Sequence, residues 1–72
     1  METLADIIGA NIRRKRKEKG LSQVRLAEMA GVRSQCNVSL WEHGTFCPDA
    51  VALMQLSRVF GCTIDALFEG AE

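Results

Sequence analysis

Four glycines, spaced along 72 residues, constrain this chain more than any other feature. Gly20, Gly31, Gly44 and Gly61 leave no uninterrupted segment longer than 19 residues. A glycine costs about 1 kcal/mol inside a helix but is favoured just past its end. Between the glycines the apolar residues recur every three or four positions, which is the helical period and not the strand period of two. Leu4, Ile8 and Ile12 form one stripe and predict a first helix from about Thr3 to Lys19, with Lys17 and Lys19 suiting the negative end of its dipole. Ser22 stands as an N-cap ahead of Leu26, Ala27 and Ala30, and Ser34 stands ahead of Val38 and Trp41. Thr45 to Pro48 read as a loop. Asp49 then caps Leu53, Leu56 and Phe60, and Thr63 caps Ile64, Leu67 and Phe68. The expectation is an all-α fold of five short helices in one domain over residues 1–72. Its expected core is Leu4, Ile8, Ile12, Leu26, Ala27, Val38, Trp41, Leu53, Leu56, Phe60, Ile64 and Leu67.

A chain this short buries only about 60% of its unfolded surface, so it needs efficient packing. No apolar run approaches the ~20 residues of a membrane span, and no apolar segment follows a basic N-terminus as in a secretory signal. Cys36, Cys47 and Cys62 cannot all pair within one chain and match no disulfide framework. Reduced thiols in a cytoplasm, with no membrane partner, are therefore expected. Formal net charge is zero, but it is unevenly placed. Residues 1–33 carry eight Lys and Arg against four acids, and residues 34–72 carry Arg58 alone against five. A +4 half thus joins a −4 half, with RRKRKEK at 13–19 holding most of the positive charge. Such asymmetry is compatible with a solvated helix face and also with a nucleic-acid partner.

Catalysis fits this composition poorly. Cys36, His43 and Cys47 could ligate zinc, but they contain no C-x2-C pair. A Cys–His nucleophile needs a cleft and a third, orienting group, and five helices in 72 residues leave no room for a substrate pocket. The expectation is no enzyme, no metal, no cofactor and no small-molecule substrate.

Two helices of about nine residues joined by a turn containing Gly31 are the sequence form of a helix-turn-helix. In order along the chain stand Leu21-Ser22-Gln23, Leu26-Ala27, Gly31-Val32, Trp41-Glu42-x-Gly44, Pro48, Leu53, Leu56, Gly61, Asp65 and Leu67. This ordered set resembles the Cro/lambda-repressor-like family of transcriptional regulators, of the xenobiotic-response-element type, from about residue 8 to residue 69. The resemblance implies a lambda-repressor-like DNA-binding domain whose helices two and three form the helix-turn-helix, with Leu26, Ala27, Val32, Val38 and Trp41 as their seam. It implies a structural ion pair between Arg16 and Glu42 behind the motif. It also implies a small repressor, of phage, mobile-element or antitoxin type, bound as a homodimer to a palindromic double-stranded DNA operator. Two features depart from the family pattern. Eight residues, not seven, separate Gly31-Val32 from Trp41, and the extra one is placed in the turn at Arg33 or Ser34. The loop Thr45-Phe46-Cys47 carries none of the usual basic residues.

With Val38 and Trp41 inward, helical phase turns Cys36, Ser39, Leu40 and His43 outward, flanked by Arg33, Gln35 and Asn37. By the resemblance, Gln35, Cys36 and Leu40 fall at base-facing positions, and Asn37 and His43 at positions that meet phosphate. Gln bonds adenine N6 and N7 together and an apolar tip packs on a thymine methyl, so a reading helix without Lys or Arg points to A·T-containing sites unless Arg33 reaches a guanine. Ser22 and Gln23 would bind phosphate at the start of helix two, and Arg14 would act by charge. Plainer readings stand beside these: Gln35 as the first residue of a solvated helix, Leu40 as a protein contact or an isolated surface leucine, Cys36 as a passive small residue or a redox-sensitive thiol. The rival function is a protein-association module with weak or lost DNA binding. The acidic half and the uncharged third helix favour that rival, while RRKRKEK and the Ser22-Gln23 entry favour DNA. Phe46 to Val51 and Leu67-Phe68 are the expected sites of a dimer interface.

Overall fold

The computed structural model describes residues 2–71; Glu72, counted above in the acidic half, lies outside the described residues. Helix α1 spans Leu4–Glu18, α2 Gln23–Ala30, α3 Gln35–Glu42 and α4 Ala50–Phe60. A short 3-10 turn, Asp65–Phe68, follows. No strand occurs among the described residues, and none of these helices is long and apolar enough to cross a membrane.

Each α-helix begins where a side chain satisfies a backbone N–H that has no partner within the helix. Thr3 Oγ1 accepts from the Asp6 N–H at 3.1 Å, while Asp6 Oδ2 accepts from the Thr3 N–H at 2.9 Å, forming a closed capping box. The Ser22, Ser34 and Asp49 side chains accept from Arg25, Cys36 and Ala52 respectively. At the other ends of α2 and α4, Gly31 and Gly61 take the left-handed conformation at φ 73° and 66°, which a Cβ would strain.

The expected fifth helix is corrected to the 3-10 turn. Thr63 Oγ1 does accept from the Ala66 N–H at 3.2 Å. Beyond it, however, the backbone bonds run three residues apart, Leu67 N–H to Ile64 O at 2.9 Å and Glu69 N–H to Ala66 O at 3.4 Å. The Ala66 N–H likewise bonds to the Thr63 carbonyl, three residues back, at 3.1 Å. Asn11 also captures its end: the amide nitrogen donates to the carbonyls of Leu67 at 2.8 Å and Glu69 at 2.9 Å.

Ile8, Ile12, Leu26, Ala27, Ala30, Val38, Trp41, Ala52, Leu56, Phe60 and Leu67 form the buried core. Three core expectations are revised. Leu4, the first residue of α1, is 50% exposed, and the buried stripe of that helix starts one turn later at Ile8. Ile64 is 40% exposed at the entry to the 3-10 turn, while Leu67, three residues on, is the residue that enters the core. Leu53 is only partly buried, packed against the core from its edge. Leu67 is fully buried, so the expectation that it forms part of an exposed interface is also corrected. Two residues that sequence periodicity passes over set the packing of α1. Asn11 is 4% exposed with its amide satisfied, and buried Gly9 lies so close to α3 that a Cβ there would run into the Trp41 carbonyl oxygen.

Candidate nucleic-acid interface

Helix α2 packs on α3 through buried Leu26, Ala27, Val38 and Trp41, with Val32 half-buried beside them. The turn between the helices runs from Gly31 to Ser34, where Ser34 is extended at φ −143° and caps α3.

Behind the motif, Arg16 Nε donates to Glu42 Oε2 at 2.6 Å and Arg16 Nη2 to Glu42 Oε1 at 3.0 Å. The side chains are 12% and 4% exposed. Arg16 Nη1 donates to the Leu21 carbonyl at 2.9 Å, and Gln23 Nε2 donates to Glu42 Oε1 at 3.2 Å. One carboxylate therefore joins the end of α1, the start of α2 and the end of α3. The hydrogen bonds to Glu42 hold the Arg16 guanidinium pKa above its ordinary value, against the opposing effect of burial.

The face of α3 away from this seam is largely open. Arg33, Ser34, Gln35, Cys36, Asn37 and His43 are exposed, and Ser39 is half-buried. The outward placement of Leu40 is corrected: it is half-buried and lines a groove with Val32, Trp41, Phe46 and Val51. Its phase on α3 is as expected, but the loop after α3 and the start of α4 fold against that side. Phe46 and Val51 stand 60% and 65% exposed at this groove.

Ser22 is exposed at the start of α2, its hydroxyl accepting from the Arg25 N–H. Gln23, expected at phosphate, has one amide N–H engaged by Glu42 and keeps the other free along with its backbone N–H at the helix start. Arg14 lies on the other side of α1, 3.4 Å from Glu69 at the end of the 3-10 turn. Arg13 follows Gly9 by one turn and precedes Arg16 by one, so the stripe of α1 that meets α3 passes closer to Arg13. Sequence reasoning missed this because Arg13 and Arg14 are equivalent until the partner of α1 is known. It also missed the Gln23–Glu42 bond, for which no spacing rule gives a signal. Among the described residues no three His, Cys, Asp or Glu side chains converge as a metal site would require.

An exposed face on the second helix of a capped helix–turn–helix pair defines the class of fold. The helix-turn-helix family model matches residues 12–67, and the chain belongs to that family. Among solved structures it resembles the P22 c2 repressor protein, in complex with synthetic operator 9T, at 35% identity and a TM-score of 0.82, covering 88% of this chain and 94% of that one. It also resembles the restriction-modification controller protein C.AhdI from Aeromonas hydrophila, at 27% identity and TM-score 0.81, covering 88% and 94%. The clp gene regulator ClgR from Corynebacterium glutamicum matches at 26% identity and TM-score 0.84, over 92% of this chain and 69% of that one. No curated protein sequence matches the chain.

Proposed function

We propose that the protein is a sequence-specific DNA-binding transcription regulator that presents α3 to the major groove. The observation that carries this reading is the α3 surface: Gln35, Cys36 and Asn37 stand exposed on the first turn of a helix whose opposite side is locked to α1 and α2. A recognition helix reads base edges with its N-terminal residues. Gln35 would read a base, adenine by preference, with Cys36 beside it. Arg33, Ser34, Asn37, Ser39 and His43 would border that contact, and Ser22 and Gln23 would hold phosphate at the start of α2. Leu40 enters at most by its exposed edge. Arg14, already facing Glu69, contributes general charge. The P22 c2 repressor, bound to its synthetic operator, supports both the repressor reading and the operator partner.

A homodimer on two half-sites, about 34 Å apart, follows from the size of one such unit and the rarity of a unique site in so short a contact. The apolar pair Phe46 and Val51 favours that second copy. A cytoplasmic location fits a protein that meets DNA, and no catalytic step is assigned to it. The test is enrichment of bound fragments from random-sequence DNA by the purified chain. A recurrent, palindromic site is expected. Failure to enrich any site at low salt, with self-association or capture of another protein retained, would instead favour the association module, to which the same exposed Phe46 and Val51 also point.

A further inference from the structure

His43 ends α3, and its ring is anchored. Nδ1 lies 2.7 Å from the backbone carbonyl oxygen of Ser39, one turn back. A carbonyl oxygen only accepts, so Nδ1 must carry the proton. The Ser39 hydroxyl at 3.4 Å is a far longer contact and does not reverse this. A neutral imidazole has one N–H, and here it is taken, leaving Nε2 as a bare lone pair on an exposed ring. Cys36 and His43 are seven residues apart, so they share the outward line of α3, about 10 Å apart along its axis. With Cys36 and Gln35 at base edges, the other end of that line climbs toward the groove wall, where phosphate oxygens stand. A phosphate oxygen repels a lone pair and attracts a donor.

We propose that His43 is a proton-operated phosphate contact. Neutral, it offers DNA nothing but an acceptor; protonated, it donates Nε2–H with a full positive charge, so DNA binding tightens as pH falls. The inference rests on the DNA-binding reading above. No salt bridge to the ring occurs among the described residues. Glu42 is turned inward to Arg16, the Asp6 carboxylate lies against Gly44 and is held by Thr3, and Asp49 caps α4.

The experiment measures affinity of the full chain for a duplex bearing the site enriched from random DNA at pH 6, at fixed salt, from pH 5.5 to 8. Wild type is expected to lose about tenfold in affinity across that range, as for loss of one charge-assisted contact. H43N, which keeps a donor but cannot titrate, is expected to be nearly flat. Wild type alone supplies a second readout: its salt dependence should be steeper at pH 6 than at pH 8 by about one released ion. A site bound with the same pH profile by wild type and H43N, or with one salt slope at both pH values, overturns the inference and leaves the DNA-binding reading intact. If no site is enriched at any pH, that reading fails and this one falls with it.

Discussion

Arg16 and Glu42 form the contact on which three helix ends depend. Two parallel hydrogen bonds to a nearly buried carboxylate make the pair costly to break, even though burying charge gives it little net stabilising value over an apolar replacement. Arg16→Ala and Glu42→Ala should each lower stability by about 3 kcal/mol, and the double variant should lose clearly less than their sum. Denaturant unfolding of the four proteins checks this, and simple additivity would contradict the coupling. Because the guanidinium pKa is raised, its contribution is fully present below its ordinary value and is lost only as strong alkali passes the still higher folded value. The pair therefore adds no pH dependence near neutrality. Gly9 offers a second residue-scale test. Alanine is favoured over glycine in a helix by about 1 kcal/mol, but here the methyl group would strike the Trp41 carbonyl. Gly9→Ala should destabilise by about 1–3 kcal/mol, the cost of overpacking; a stabilised variant would mean that α1 and α3 stand further apart.

Among the elements, α1 carries a feature that acid exposes. Hydrogen bonds from the Thr3 backbone and then the Thr3 hydroxyl hold the Asp6 carboxyl below its usual pKa of 3.8. A depressed carboxyl contributes stability that is present above its ordinary value and lost as pH falls through the folded one. Melting temperature should thus drop on acidification below about pH 4, and Asp6→Asn should be less stable at neutral pH yet lose less on acidification. Parallel curves for both proteins would remove the capping box as the cause. Helix starts and stops such as Thr3, Ser22, Gly31, Ser34, Asp49 and Gly61 were legible in the sequence because each is decided within one turn of chain. The last segment was not, since its 3-10 form depends on Asn11, more than fifty residues away. Leu40 shows the same limit on the candidate site: helical phase turns it from Trp41, but only the folding of the loop and α4 decides what lies on that side. Gln35, Cys36 and Asn37 stand exposed on the first turn of α3, while Val38 of the same turn is buried in the core.

At the scale of the whole molecule, a small core leaves little reserve. Trp41→Ala and Leu56→Ala each remove a buried side chain at a cost of about 2–5 kcal/mol, against a total stability of about 5–15 kcal/mol for a natural domain. Both variants should show much lower thermal midpoints, and a wild-type midpoint in either would contradict the placement of the core. The opposed charge of the two halves bears on DNA affinity, since the loop after α3 has no cation and Arg14 already faces Glu69. Discrimination should therefore come from the α3 surface more than from bulk charge. The most direct measurement compares wild type and Gln35→Ala on an enriched site and on a scrambled one at several salt concentrations. Gln35→Ala should lose about 1–3 kcal/mol on the enriched site alone and relax preference at one base pair, with the salt slope unchanged. Equal loss on both DNAs would take Gln35 off the reading surface, and no preference by wild type at low salt would contradict sequence-specific binding by this face.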